Sequence, residues 1–336
     1  MMAKRGNNKI IPRVTLPKGE FEYSNISKVA KYITTQSGIV DAKEPLKLIT
    51  MPAKNASVTI ALKSDTDIQL SKNITQYDAT VMDAVYSLYL NGCGRFSPEM
   101  VARMITGNLK GRISPQKIGS VTRSLNKLRH IDITIDLTDE YIKRGGHVEE
   151  GERVTKTSYL LPLEVYHAVI PDNGKTIRTK KGIKCKMEDG AEETIDIIAG
   201  YEFIKRPALY SYAEQTGEIE QFPTALLAAP EITDTDENTT LKWYLIRRIG
   251  ALKKAKNKSI CKDIIYYDQE NQQGAFSDLW YDPELYSNWK SKKSKIHATI
   301  IKILDGYKKE KYIDGYNVIK DKKSIVGVEI IIKSNN

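Results

Sequence analysis

The sequence contains few of the residues, and none of the short motifs, on which many enzymes depend. Its three cysteines, Cys93, Cys185 and Cys261, are odd in number and far apart, so neither a disulfide framework nor a CxxC metal site is indicated. The four histidines never form a close pair, which excludes the HExxH zinc motif and the His-x-His pair of rolling-circle nicking enzymes. No GxxxxGK(S/T) loop, GxSxG turn or dinucleotide fingerprint is present. We therefore expect no metal, no cofactor and no catalytic activity.

Long apolar runs are also missing. No stretch approaches the roughly 18 to 20 apolar residues that cross a bilayer, and no apolar segment follows the basic start of the chain, Met1–Asn8. We expect a soluble, cytoplasmic protein whose cysteines are free thiols in a reducing compartment.

Composition describes an ordinary globular chain with a basic balance. The chain is 40% hydrophobic and 28% charged, which is typical of folded proteins. Its length of 336 residues is about right for two domains. Lysine and arginine number 52 against 42 acidic residues, and the net charge of +10 favours a polyanionic partner, either nucleic acid or an anionic membrane. Seven of those ten charges lie from Asp236 to Asn336, which holds 20 basic and 13 acidic residues. The last third is therefore the expected main binder.

Three helices and a hairpin are predicted in the first half. A capped amphipathic pattern predicts a helix over Thr75–Asn91, and two Ser-Pro starts predict helices over Ser97–Gly107 and Ser114–His130. Residues Ile131–Leu137 alternate apolar and polar, which is typical of a half-buried strand, and we expect Tyr159–Val169 to pair with it across a basic, glycine-containing tip. This is the element order of a winged helix.

The same order recurs at the C-terminal end. Apolar spacing predicts a long helix through Leu241–Leu252, a second helix over Ser259–Asp268 and a third over Ser287–Glu310. A terminal hairpin, with strands Tyr312–Ile319 and Ile325–Lys333, follows them. The repeat is one of architecture and not of sequence, so it supports tandem domains without demonstrating a duplication.

The predicted fold class is α+β, with two tandem winged-helix domains. Between the repeats we expect strands at Thr176–Met187 and Glu193–Ala199 joined by an Asp189-Gly190 turn, and a short helix after Pro207. The predicted divisions are an N-terminal basic arm with short strands (1–70), a first winged-helix domain with extra strands (71–220), a linker (221–238) and a second winged-helix domain that is the main DNA binder (239–336).

The third helix of a winged helix enters the major groove, so its outer face must carry short polar and basic side chains. Helical spacing places such residues on one side of both third helices, and neither side contains an acid. The candidate DNA-binding residues are Gln116, Ser120, Arg123 and Lys127 in the first, Lys290, Ser291, Ser294, Lys295, Ala298 and Lys302 in the second, and Lys320, Lys322 and Lys323 at the wing tip. A merely solubilising surface is the alternative for either helix alone; the two together favour DNA.

Other features allow more than one interpretation. Arg247-Arg248 and the lysine-rich run 253–258 could contact phosphates, but the run could equally favour a helix C-terminus through the macrodipole. Among the 19 tyrosines, Tyr86, Tyr89, Tyr244 and Tyr307 have core spacing. A second group could line either the core or a subunit interface. Its members are Tyr159, Tyr166, Tyr201, Tyr210 and Tyr212.

The chain resembles the theta-type plasmid replication initiators, which bind short direct repeats at an origin. The resemblance spans about Ile74–Ile332. It rests on Tyr77-Asp78 and the helix behind it, on Ser114-Pro115-Gln116-Lys117-Ile118 leading to Leu128-Arg129, and on Tyr307 through Gly315-Tyr316 to Gly327-Val328-Glu329-Ile330. The arm before residue 70 and the strands between 170 and 200 depart from the family pattern.

The resemblance implies a function. Members of the family dimerise through the N-terminal domain, contact the repeats mainly through the C-terminal domain, and melt DNA and recruit host replication proteins, such as the host initiator and helicase, without cleaving DNA. By that likeness the residues of the second third helix would read bases, and those of the first would touch an adjoining groove. Two alternatives stay open: a transcriptional regulator of the same architecture, and a nicking or priming enzyme that uses carboxylates with no recognisable motif.

Overall fold

The computed structural model shows a mixed α+β protein. It describes residues 20–24, 46–53, 56–63, 75–167, 169–172, 176–179, 183–186, 192–195, 198–215, 219–229, 231–254, 261–265, 274–279, 281, 283, 286–322 and 324–332. The predicted basic arm before Glu20 and the predicted Asp189-Gly190 turn lie outside these residues.

The N-terminal two thirds contain most of the strands. In chain order the elements are β1 (Glu20–Ser24), β2 (Leu46–Ala53), β3 (Ala56–Lys63), α1 (Gln76–Leu90), β4 (Arg95–Phe96), α2 (Pro98–Thr106), α3 (Pro115–Leu128), β5 (Asp132–Asp136), α4 (Thr138–Lys143), β6 (Thr155–Tyr159), β7 (Leu163–His167), β8 (Val169–Asp172), β9 (Thr176–Thr179), β10 (Ile183–Lys186), β11 (Glu192–Ile195), β12 (Ile198–Phe203), α5 (Ala208–Gln215) and β13 (Ile219–Pro223). The C-terminal third comprises α6 (Asp236–Lys254), β14 (Cys261–Ile265), α7 (Ala275–Asp278), α8 (Trp289–Lys309), β15 (Gly315–Asp321) and β16 (Ser324–Ile331).

The strands form small antiparallel sheets. The largest has the order β2-β3-β5-β6, and β4-β12-β7 forms a second sheet beside it. Strand β1 pairs with β13, so part of the first 70 residues joins the segment predicted as a linker. At the C-terminal end β14, β16 and β15 form a three-stranded sheet in that order. The pairs β8-β9 and β10-β11 stand apart from these sheets in the described residues.

The predicted helix starts are confirmed by their capping hydrogen bonds. The side chain of Thr75 accepts from the Asp78 N–H, and the Asp78 carboxylate accepts from the Thr75 N–H at 2.8 Å, which completes a capping box for α1. Ser97 and Ser114 cap α2 and α3 by accepting from the N–H of Met100 and of Lys117, and each is followed by a proline at the first helical position. Helix α2 ends at Gly107, whose φ of 70° is the left-handed conformation that glycine adopts readily.

The predicted helix over Ser259–Asp268 is wrong. Residues Cys261–Ile265 form strand β14, which pairs antiparallel with β16 from Cys261 opposite Ile331 to Ile265 opposite Gly327. Ile264 is buried, and strand geometry turns alternate residues to opposite faces. A run this short has apolar spacing compatible with either structure, and pairing with a strand more than 60 positions away decides between them.

Two strand predictions also need correction. The partner of β5 is Thr155–Tyr159 and not Tyr159–Val169; the segment Leu163–His167 pairs with β12 instead. The predicted single strand Thr176–Met187 is two strands, of which β9 pairs with β8 and β10 with β11. The hairpin connection between β5 and β6 contains the short helix α4, which the sequence pattern did not indicate.

Helix α6 packs on both halves of the molecule. On one side the Trp243 Nε1–H donates to the Ile105 carbonyl oxygen at the end of α2, 3.0 Å away. On the other side the Tyr307 hydroxyl of α8 donates to the Lys242 carbonyl oxygen at 2.9 Å. Trp243 and Tyr307 belong to the buried apolar cluster that extends from α1 to the C-terminal sheet. The Trp243 indole and the Tyr307 hydroxyl, both buried, are thus hydrogen-bonded, as buried polar groups usually are.

A buried ion pair joins α6 to α1. The guanidinium of Arg247 contacts the Asp83 carboxylate, with 2.7 Å between Nη2 and Oδ2, and both side chains are less than a tenth exposed. Burial raises the pKa of Asp83 to about 6, although Arg247 opposes that change. Arg247 was predicted, together with Arg248, as a candidate phosphate contact; it faces the interior, whereas Arg248 is exposed.

We expect Arg247→Met to lower the free energy of unfolding by about 3 kcal/mol or more, because the Asp83 carboxylate would stay buried without its partner. Arg248→Met, one position along the chain and exposed, is the matched control and should change it by less than about 0.5 kcal/mol. Urea unfolding followed by tryptophan fluorescence measures both values. Equal values for the two variants would contradict the burial of this pair.

Candidate nucleic-acid interface

Helix α8 is anchored on one side and open on the other. Its N-cap is Asn288, whose side-chain oxygen accepts from the Ser291 N–H at 3.0 Å. One side is buried, and consists of Ile296, Ile300, Ile303, Leu304 and Tyr307. The spacing of three and four residues gives the helix a single apolar stripe, so the opposite side faces solvent.

The exposed side of α8 carries the predicted residues. We call Lys290, Ser291, Ser294, Lys295, Ala298 and Lys302 the basic face, and each of them is exposed. No acidic residue occurs in α8 before Asp305, near its C-terminal end. Amino, hydroxyl and small side chains are those that contact base edges and phosphates in a major groove. These six residues therefore share one exposed surface, and their contact with DNA stays a prediction.

The hairpin of β15 and β16, here the terminal hairpin, follows α8. Asp321 pairs with Ser324 across a two-residue tip, and Lys322 at the tip has a φ of 53°. Lys320 and Lys322 are exposed, as predicted, and Lys323 lies outside the described residues. The Tyr316 hydroxyl donates to the Asp305 carboxylate of α8 at 2.7 Å, which holds the first strand of the hairpin against the helix.

Two titratable groups near the basic face, His297 and Tyr316, have a shifted pKa. Partial burial lowers the pKa of His297, so this imidazole is neutral at pH 7 and contributes no charge. Burial, assisted by Asp305, raises the pKa of Tyr316 to about 12, and its phenol keeps its proton. The positive potential of this surface therefore comes from its lysines.

The corresponding helix of the first half, α3, is enclosed instead. Lys127 is 8% exposed and its ammonium lies 2.6 Å from the Asp78 carboxylate, which also accepts from the Ser124 hydroxyl at 2.6 Å. Ser120 is 4% exposed, and Arg123 is half-buried. The prediction of an outward stripe is therefore wrong for Ser120 and Lys127, because this side of α3 packs against the first turn of α1.

Two further sides of α3 are also covered. Lys117 is buried and its ammonium contacts the Asp236 carboxylate at 2.7 Å and the Thr239 hydroxyl at 3.1 Å, both in α6. Strands β10 and β11 lie against another side of the helix. Of the four predicted residues, Gln116 at the N-terminal end is the one that is fully exposed. The helical pattern could not reveal this, since the partners Asp78 and Asp236 are distant in sequence.

Two further lysines of the C-terminal third already have intramolecular partners. Lys253 donates to the Tyr312 carbonyl oxygen at 2.6 Å, and its ammonium lies 3.6 Å from the centre of the Tyr312 ring. Lys292 contacts the Glu237 carboxylate at 2.6 Å. The rest of the run, from 255 to 258, lies outside the described residues. Formal charge along the sequence therefore overstates the charge available to a partner.

Neither a metal site nor a membrane span occurs in the described part of the chain. The described histidines, cysteines and carboxylates nowhere form a group of three that could hold a metal ion. Within the same residues, every helix is too short or too polar to cross a bilayer. A cleft of about 520 Å³ lies where α3 and α6 begin, and the Lys117–Asp236 pair forms part of its wall.

Comparison with known proteins gives distant likenesses of structure. The sequence matches no family model and no curated protein. The chain is similar to the crystal structure of selenomethionine derivatives of domains 2 and 3 of RctB, with a TM-score of 0.43, 14% identity, and coverage of 90% of this chain and 98% of that one. It is also similar to a second crystal structure of RctB domains 2–3, with a TM-score of 0.41, 13% identity, and coverage of 86% and 91%.

Removing a lysine charge should destabilise the protein in α3 but not on the basic face of α8. Lys127→Met should lower the free energy of unfolding by about 3 kcal/mol, because the Asp78 carboxylate would stay buried without the ammonium. Lys302→Met, on the basic face, is the control and should alter it by less than about 0.5 kcal/mol. Chemical denaturation of both variants measures the difference. A Lys127 variant as stable as the parent would show that α3 is open to solvent.

Proposed function

We propose that the protein is a sequence-specific, double-stranded DNA-binding protein that initiates replication of a plasmid or other mobile element. In this proposal α6, β14, α7, α8 and the terminal hairpin are a winged-helix domain, with α8 as the helix that enters the major groove. The terminal hairpin is its wing, whose lysines reach the flanking phosphates. The first half, with the order α1-β4-α2-α3-β5-β6, is proposed as the second member of a tandem.

The single observation that carries the DNA-binding part is the exposed, acid-free basic face of α8 beside the lysine-tipped terminal hairpin. A helix surface that serves solubility usually contains several glutamates, whereas one that approaches phosphates excludes them because like charges repel. Helix and hairpin are held together by the Tyr316–Asp305 hydrogen bond, so both can contact one duplex in a fixed relation.

In this proposal the two halves of the chain contribute unequally to DNA binding. Because α3 is enclosed, we assign base reading to α8 alone. Of the four candidates in α3, the exposed Gln116 and the half-buried Arg123 are the most accessible. The role in initiation, the direct repeats at an origin as target, a homodimer and the recruitment of host initiator and helicase rest on the sequence resemblance to theta-type initiators. The proposal also holds that the protein acts without cleaving DNA.

DNA binding is tested by selecting duplexes from a random library with the full-length protein and footprinting the selected sequence. We expect a repeated motif to be protected, and binding to weaken steeply between about 50 and 200 mM salt, because phosphate contacts release counterions. Lys302→Met should reduce the slope of log K against log salt by about one, whereas Lys309→Met, exposed at the far end of α8, should leave the slope unchanged. Selection of no sequence, or binding that salt hardly affects, would contradict the proposal.

The initiator role is tested separately from binding. A plasmid that depends on this gene and carries the selected repeats should replicate autonomously, and deletion of the gene should abolish its replication; a transcriptional regulator would leave replication intact. Incubation of the purified protein with the supercoiled plasmid and magnesium should leave it unnicked. Nicked circles, or primers made from supplied nucleotides, would instead favour the enzyme alternative.

A further inference from the structure

One lysine of the basic run 290–295 has a different environment from its neighbours. Lys290 and Lys295 are exposed, whereas the side chain of Lys292 is 23% exposed and its ammonium lies 2.6 Å from the Glu237 carboxylate in the first turn of α6. This ion pair joins the first turn of α8 to the first turn of α6. Lys292 therefore holds two helix ends together, and its charge already has a counter-charge from the same chain.

Aromatic rings complete the environment of Lys292. The ammonium lies 5.1 Å from the centre of the Tyr286 ring and 5.7 Å from that of Tyr281, distances at which a cation is attracted to a ring face. The Tyr281 hydroxyl donates to the same Glu237 oxygen that Lys292 contacts, at 2.8 Å. The two rings, the carboxylate and the ammonium thus form one connected cluster.

Further aromatic rings pack against this cluster. Phe276 of α7 lies edge-on to Tyr281, with ring centres 5.8 Å apart, and edge-on to Trp289, with centres 5.4 Å apart. Trp289 in turn packs against Tyr286 at 5.7 Å. Trp289 is the first residue of α8 and Phe276 is fully buried, so the cluster connects the start of α8 to the core.

We propose that Lys292 is a positioning residue of the DNA-binding face and not a phosphate ligand. With Glu237, Tyr281 and Tyr286 it fixes the first turn of α8, and hence the direction in which Lys290, Ser291 and Lys295 point. A phosphate that approached Lys292 would meet the negative charge of Glu237, which is 41% exposed beside it. The inference rests on the proposed DNA-binding function and deepens it, because it divides a uniform basic run into contacting and supporting lysines.

The test compares Lys292→Met with Lys295→Met in the full chain, using the duplex that the parent protein selects. Both variants should bind more weakly, by about tenfold for the loss of an interaction of this kind. The salt dependence separates them: the slope should fall by about one for Lys295→Met and stay unchanged for Lys292→Met. Lys292→Arg keeps a cation beside Glu237 and the rings, and should restore most of the affinity.

A second measurement does not need DNA. Hydrogen exchange of the backbone amides from 292 to 296 should be faster in Lys292→Met and in Glu237→Gln than in the parent, and unchanged in Lys295→Met. The double variant should exchange no faster than either single one, since each removes the same pair. Exchange unaltered in Lys292→Met, or a slope reduced as in Lys295→Met, would overturn the inference. If the parent selects no duplex, the proposed function fails, and the exchange result alone decides whether Lys292 holds α8.

Discussion

The double-sided packing of α6 is the constraint on which the rest of the structure depends. One side of this helix meets α1 and α2 through Arg247 and Trp243, and the other meets α8 through the Lys242 carbonyl oxygen. The side chain of Lys242 is fully buried, and donates to the Leu227 carbonyl oxygen at 2.9 Å and contacts Asp234 at 3.3 Å. Between α6 and α1, loss of the Arg247 guanidinium would leave the Asp83 carboxylate buried without its ion-pair partner, which costs several kcal/mol. The position of α8 is therefore tied to the first half.

This arrangement gives two helices of similar sequence character different roles. Helices α3 and α8 both begin after a capping side chain, and each combines apolar positions with lysines at helical spacing. In α3, however, Lys117 and Lys127 point to carboxylates of α6 and α1, and their charges stabilise the packing of three helices. In α8 the buried stripe and the ion pair of Lys292 with Glu237 supply the packing, and the lysines of the basic face stay at the surface. The difference lies in the acidic partners that neighbouring helices present.

Local sequence signals were sufficient to predict where helices start. They were insufficient to predict which side chains of those helices are buried. Ser97 and Ser114, each before a proline, predict helix starts because the capping hydrogen bond joins residues three apart. Cys261–Ile265 was predicted as helix, since the strand it forms depends on β16, far along the chain. The burial of Lys127 depends likewise on Asp78, 49 positions away. The exposure of the basic face of α8 was predictable because it follows from the apolar stripe on the opposite side of the same helix.

The net charge of the chain therefore differs from the charge that a partner can reach, because some charged side chains are buried. Salt screens exposed charges over a length of about 10 Å at 0.1 M, whereas buried pairs are screened much less. The contacts Lys127–Asp78 and Arg247–Asp83 join buried side chains, so they persist over the same range of salt that weakens contacts between surface lysines and phosphates. Lysines inside the fold thus contribute to the net charge of +10 without contributing to attraction of a polyanion. Rising ionic strength can therefore release a bound polyanion while the fold that positions α8 stays intact. The reason is that the surface lysines are exposed to salt, whereas the buried ion pairs are not.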